Sequence, residues 1–230
     1  VVFGLILDDT TAPTINLCNG NQELVEAASK WKLCSSTVTN DNLDGATPQK
    51  YTVWYNGVKV VTKTTFARAR ASISTRKVGK WVIQVDTHDY AGVYGHDGQN
   101  NAATVKKTVF VKDTKKPWIH MVGANPAVFE CSHTKQYRDA KATAADLLDG
   151  DITKNIKSVD TVVETKVGKY TVTYDVKDKA LNEADTQTRN IKVVDTTKPK
   201  IALKGDTEVV HYSGKKFTDA WVTTSDLCDK

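Results

Sequence analysis

The 230-residue chain contains one methionine, five prolines and four cysteines, and these scarcities narrow what it can be. None of the four cysteines stands in a Cys-x-x-Cys pair, so zinc-ribbon and thioredoxin-type redox chemistry have no support. No Asn-x-Ser/Thr acceptor occurs, so N-glycosylation offers no clue to compartment. No apolar run approaches the length of a membrane span, which predicts no membrane insertion within this chain. Gly-x-Ser-x-Gly, His-Glu-x-x-His and phosphate-binding glycine loops are all missing. The five histidines (His88, His96, His120, His133 and His211) are scattered without the spacing of metal ligands. The expectation is a protein that is not an enzyme, with no certain cofactor.

A large excess of charge of one sign is also lacking. Lys and Arg number 32 against 27 Asp and Glu, a formal net charge of +5, and both signs run through the whole chain. That is the pattern of a solvated surface and argues against nucleic acid as a partner. Arg68, Arg70, Arg76 and Lys77 form the one local basic cluster. Hydrophobic residues make up 40%, enough for packed cores.

What is present is an internal repeat. Val167-Gly-Lys-Tyr-Thr-Val-Thr-Tyr-Asp-Val-Lys-Asp-Lys-Ala-Leu-Asn182 places Tyr170, Val172, Tyr174 and Val176 in alternation with polar residues, the period of a half-buried strand. Arg189, Ile191 and Val193 alternate back as a second strand, which Asp195-Thr-Thr-Lys-Pro199 stops because proline has no ladder donor. Val78-Gly-Lys-Trp-Val-Ile-Gln-Val-Asp86 is the same passage earlier in the chain, followed by Val109, Val111 and Asp113-Thr-Lys-Lys-Pro117. A period of this size signals tandem modules.

In order, residues 1–8 read as the last strand of a preceding module, with Leu5 and Leu7 in the register of Val109 and Val111. Residues 9–112 form a module with strand A at Ile15 and Leu17. It carries an inserted hairpin in which Asn56-Gly57 joins Tyr51–Tyr55 to Val58–Val61, the strongest short hairpin signal there is. A second insertion surrounds Val93–Asn100. Residues 113–194 form a module of β-sandwich size. Residues 195–230 are the first part of a third, in which Phe217–Asp229 replays Tyr137–Asp149. The expectation is a piece of a longer protein, with completion of the third module by a second chain as the alternative. The fold class expected is all-β, with immunoglobulin-like β-sandwich modules arranged end to end.

Two signatures stand together: Asp-Thr-Thr/Lys-x-Pro at module borders (Asp9, Asp113, Asp195) and Asp-x-x-Asp-Gly at 41–45 and 146–150, with Asp226 and Asp229 opening a third copy. Joined to the Val-Gly-Lys-Tyr strand, they resemble the tandem bacterial-type immunoglobulin-like modules of surface proteins, related in style to hyalin-repeat modules. The resemblance covers nearly the whole chain. It implies an extracellular or cell-surface setting and a role as stalk, spacer or adhesive element. It also implies a disulfide between a cysteine before the second strand and one inside the Asp-x-Cys-Asp-Gly turn. Here each module holds half of that pair. Cys131 has Leu148 in its partner's place, and Cys228 has His211 in its partner's place. Equivalent sites of adjacent modules are expected to lie too far apart to join. Cys131 and Cys228 are therefore expected as buried free thiols or as halves of bridges between chains. Cys18 and Cys34, both in the first module, are a candidate pair suited to an oxidising compartment.

Carboxylates crowd the turns. Asp146, Asp149 and Asp151 share one, and Asp175 and Asp178 flank another. The first module offers Asp41, Asp44, Asp86 and Asp89, and the borders add Asp113 and Asp195. Calcium takes six to eight oxygens from adaptable loops, so these are candidate calcium ligands. The competing reading is that each Asp caps its own turn through the backbone. Trp31, Trp54, Tyr55, Tyr90 and Tyr94 cluster in the elaborated parts of the first module, with Trp54, Tyr55, Tyr90 and Tyr94 as a candidate glycan-binding surface. The leading functional expectation is a structural spacer within a fibre or coat, whose partners are other copies of itself or neighbouring surface proteins. An adhesin that recognises glycan or protein through the first module's insertions is the alternative, and an accessory region of a secreted enzyme the third.

Overall fold

The computed structural model describes residues 12–39, 48–88 and 102–229. The chain divides into two compact units, 1–115 and 116–230, and both are built from strands.

In the first unit β1 (Thr14–Asn16), β2 (Gln22–Glu26), β3 (Thr37–Thr39), β4 (Lys50–Tyr55), β5 (Val58–Thr64), α1 (Phe66–Ser72), β6 (Gly79–His88) and β7 (Ala102–Lys112) follow in order. β1 pairs with β3, while the other five form one sheet in the order β2-β7-β6-β4-β5. β2 runs parallel to β7 and the remaining pairs are antiparallel. Alternation sets the core: Tyr51 and Val53 on β4, Trp81, Ile83 and Val85 on β6, and Val109 and Val111 on β7 are all buried. Asn56 and Gly57 both take positive φ, 47° and 85°, as a two-residue hairpin turn requires. Gly79, at φ 147°, lies against the same turn, where a Cβ would stand 2.7 Å from Asn56 Oδ1. Asn56 Oδ1 accepts the Lys80 amide there, which ties the hairpin to β6.

The short helix α1, seven residues long, was not legible in the strand pattern. It holds two of the basic cluster's residues, Arg68 and Arg70. It is seated by the fully buried Ala69 and by Phe66, whose ring lies 5.6 Å from that of Tyr51.

The second unit contains β8 (Trp118–Met121), β9 (Ala127–Glu130), β10 (Ala142–Asp146), β11 (Gly150–Asp151), β12 (Lys157–Asp160), β13 (Gly168–Asp175), β14 (Gln187–Val194), β15 (Lys200–Leu203) and β16 (Val222–Ser225). The sheets are β11-β10-β8, β12-β13-β14-β9 and the pair β15-β16. β9 is parallel to β14, as β2 is to β7. The core gathers Cys131, Ala142, Val172, Tyr174, Ile191 and Val193, with Phe129, Tyr137 and Cys228 packed against it. The fold is thus all-β and immunoglobulin-like.

The repeat extends to backbone detail. Ala142 opposes Met121 on β10-β8, and Val222 opposes Leu203 on β16-β15. Lys141 and Trp221, one residue earlier, both sit at left-handed φ, 65° and 66°. They accept equivalent bonds, from Val122 N to Lys141 O and from Lys204 N to Trp221 O. The pair β15-β16 leaves Ile201, Leu203, Trp221 and Val222 exposed.

Each unit also buries one cation at the same repeat position. Lys107 on β7 pairs with Glu23 at 3.0 Å and donates to the carbonyls of Cys18 and Gly20. Arg189 on β14 pairs with Asp139 at 3.0 Å, bonds Tyr174 Oη, and donates to the carbonyls of Val122, Ala124 and Lys141. Burial first, and then the Asp139 carboxylate beside it, push the Tyr174 hydroxyl up to about 12. A buried cation survives only when its donors are used. Here they hold the crossing from the first strand of each unit to the second.

Candidate functional site

The feature that sets this chain apart lies where β14 leaves the second module. β9 runs beside the end of β14, so Cys131 donates its amide to the Val194 carbonyl at 2.7 Å. The third segment folds its Asp226-Leu-Cys-Asp229 turn back onto that point. Cys131 and Cys228 form a disulfide with a Cα–Cα distance of 5.1 Å. His133 joins the contact twice, since its amide donates to the Leu227 carbonyl and its Nε2 lies 2.8 Å from the Cys228 carbonyl oxygen.

This corrects the expectation of free thiols or bridges between chains. Cys131 and Cys228 are not equivalent sites. One lies at the pole where the chain leaves a module and the other in the turn at the pole where it enters the next, so the two half-pairs complete each other across the joint. Cys18 and Cys34 are also bonded, with Cα atoms 6.2 Å apart, and no free cysteine remains among the described residues.

The border motif is anchored beside the disulfide. The last residue of β9, Glu130, accepts from the amides and hydroxyls of Thr196 and Thr197, with distances of 2.7 to 2.9 Å. Bonds from the Thr196 amide above all hold this carboxyl below its ordinary range. Glu26, the last residue of β2, accepts from the amide and hydroxyl of Thr114 in the same way. Burial raises the Glu26 carboxyl, but the Thr114 bonds outweigh it and the net shift is downward. The sequence reading missed both glutamates. Their signal was there, as an acidic residue closing each second strand one repeat apart.

The candidate calcium ligands fall into three groups. Some already have hydrogen-bond or ion-pair partners. Asp149 accepts the Lys179 amide and pairs with Lys179 Nζ at 3.0 Å; the bond from that amide, chiefly, depresses its carboxyl. Asp151 accepts from Thr153, Asp175 from Thr186, and Asp86 from Gln84 and Thr104. Two small clusters form within the second unit. Oxygens of Asp146 and Asp178 lie within 4.8 Å of each other in a buried setting, and those of Asp195, Asp226 and Asp229 do so in a mostly exposed one. Asp113 is half-buried near the end of the first unit. Asp41, Asp44 and Asp89 lie outside the described residues.

Backbone capping accounts for one oxygen of each turn. Asp146 Oδ1 accepts the amides of Leu148 and Asp149, and Asp226 Oδ1 accepts those of Cys228 and Asp229.

Of the aromatic candidates, Trp54 is half-buried with Lys59 Nζ 5.8 Å from its ring centre. Tyr55 is half-buried too, but its ring packs on Trp81 at 4.6 Å and its hydroxyl donates to the Val78 carbonyl. Trp31 donates to Glu23. Tyr90 and Tyr94 lie outside the described residues. No helix among the described residues is long and apolar enough to cross a membrane.

The chain is similar to fibronectin(III)-like modules of Clostridium thermocellum CbhA, at 15% identity over 79% of this chain and 93% of that one, with a TM-score of 0.27. Human protocadherin-24 EC1-2 shares 10% identity over 81% of this chain and all of that one, with a TM-score of 0.30. The structure of the M60 catalytic domain with two CBM51 domains of Clostridium perfringens ZmpB shares 17%, covering 89% of this chain and 19% of that one, at a TM-score of 0.26. Similarity at this level does not define a shared function. Comparison with curated protein sequences gives no match. Residues 119–193, the second module from its first strand to its last, match the family "Bacterial surface protein, Ig-like domain".

Proposed function

We propose that this chain is a non-enzymatic structural segment of a bacterial surface or extracellular protein, and that it transmits tension through a cross-linked module joint. The observation that carries this reading is the Cys131–Cys228 disulfide, which closes a 97-residue span around the second module and its exit. The Glu130 clamp on Thr196 and Thr197 reinforces the same joint. Two disulfides suit an oxidising, extracellular compartment, and the family match to the second module supports placement at a surface. The buried Lys107 and Arg189, the latter with the partly buried Asp139, serve strand crossings, which is a structural use of ionisable groups.

Single-molecule pulling from the two ends tests the reading. In the oxidised chain the residues between Cys131 and Cys228 cannot extend, so only the part of the second module before Cys131 can add length. After reduction, or in Cys228→Ser, an extra extension of roughly 300 Å appears, at about 3.3–3.6 Å per residue. Equal extension in both states would mean that the joint carries no tension. The adhesin reading rests on the half-exposed Trp54 and the exposed Val58 and Val60 of the β4-β5 hairpin. Glycan-array binding by the wild type that Trp54→Ala abolishes, with the fold intact, would favour it.

A further inference from the structure

Asp146 and Asp178 are the two buried aspartates of the second unit, 3% and 4% exposed. Asp146 closes β10, and its Oδ1 is occupied by two turn amides. Its Oδ2 is buried, and among the described residues it has no hydrogen-bond partner. Asp178 opens the loop after β13, where Oδ1 accepts the Asn182 amide and Oδ2 the Asn182 side-chain amide. Oxygens of the two carboxylates lie within 4.8 Å of one another. Neither forms an ion pair with Lys, Arg or His among the described residues.

Two adjacent buried carboxylates without a counter-charge are unfavourable twice over, through desolvation and through mutual repulsion. Each carboxylate keeps lone pairs beyond its hydrogen bonds, and the Asp146 Oδ2 has no partner among the described residues.

We propose that Asp146 and Asp178 bind a calcium ion. The donors are all oxygen, which selects a hard cation over zinc or copper. Asp178 sits in a loop and Asp146 at the junction of a strand with a turn, a setting that suits the variable coordination of calcium better than the strict octahedron of magnesium. The ion would bridge the end of β10 to the loop after β13, joining the two sheets of the module at one pole. The exposed Asp195, Asp226 and Asp229 are excluded from the proposal, because no buried, partnerless oxygen stands among them.

The test uses the full oxidised chain at pH 7.5. Thermal unfolding is followed in EDTA and in 10 mM calcium chloride, with bound calcium counted by equilibrium dialysis. An extracellular-type affinity, with a dissociation constant on the order of 0.1–1 mM, predicts a Tm rise of several degrees. Asp146→Asn keeps the Oδ1 acceptor for the turn amides and so preserves the fold. It should lose most of the calcium-dependent rise and about one bound calcium per chain, and Asp178→Asn should do the same. Magnesium at the same concentration should give a much smaller shift. The proposal is overturned if calcium changes neither Tm nor occupancy in the wild type. It is also overturned if bound calcium survives both variants and disappears only in Asp226→Asn.

Discussion

Replacing Cys228 by serine separates local from global roles of the joint. Because Cys131 is already hydrogen-bonded to Val194, the loop that the disulfide closes onto a folded second module is the segment from Val194 to Cys228, roughly 34 residues. Loop-closure entropy for that length is about 3.8 kcal/mol at 25 °C, against about 4.7 kcal/mol for the full span counted from Cys131. The variant should therefore weaken docking of the third segment by about 3–4 kcal/mol. Amide exchange at β16 (Val222–Ser225) should accelerate by a factor of roughly 100 to 1,000. The core strands β13 and β14 should stay protected, since Val172, Tyr174, Ile191 and Val193 bury one another without help from Cys228. Hydrogen-exchange mass spectrometry on the oxidised wild type and on Cys228→Ser reads both effects. If β16 exchanges equally in the two proteins, other contacts hold the segment and the cross-link is incidental. If β13 and β14 lose protection as well, the joint is part of the second module's own stability.

Three other outcomes follow from the geometry. Removal of the Cys18–Cys34 bridge closes only a 16-residue separation, so Cys34→Ser should cost about 3 kcal/mol and lower the melting of the first unit alone. Arg189→Met leaves the partly buried Asp139 beside Tyr174 without its cation and three backbone carbonyls without their donor, so denaturant unfolding should show a loss of about 3 kcal/mol. Glu130 has a folded-state value below its unfolded one, so its contribution is present above the ordinary glutamate range and is lost as pH falls through the depressed value. Between pH 5 and pH 3 the wild type should therefore lose more Tm than Glu130→Gln, and parallel curves would show that the clamp is not charge-dependent.

The sequence alone determined the period-two strands and the Asn56-Gly57 hairpin, because each follows from local rules of alternation and allowed φ. It identified Cys18 and Cys34 as candidates for one bridge, and it singled out the turn carboxylates. Helix α1 escaped it, since the seven residues Phe66–Ser72 make only about two turns, held by Ala69 and Phe66 against β4 rather than by any long apolar stripe. The alternation puts Arg189 in register with Ile191 and Val193, but only the carbonyl partners of Lys107 and Arg189 show how each strand can bury a cation. Only the tertiary structure decided that Cys131 meets Cys228, that Glu130 clamps Thr196 and Thr197, and that Asp146 reaches Asp178 while Asp149 is taken by Lys179. Each of these pairs joins residues far apart in sequence at one pole of a sandwich. Which loops share a pole is fixed by how the sheets stack and where β9 lies beside β14, and no local pattern in the chain encodes that.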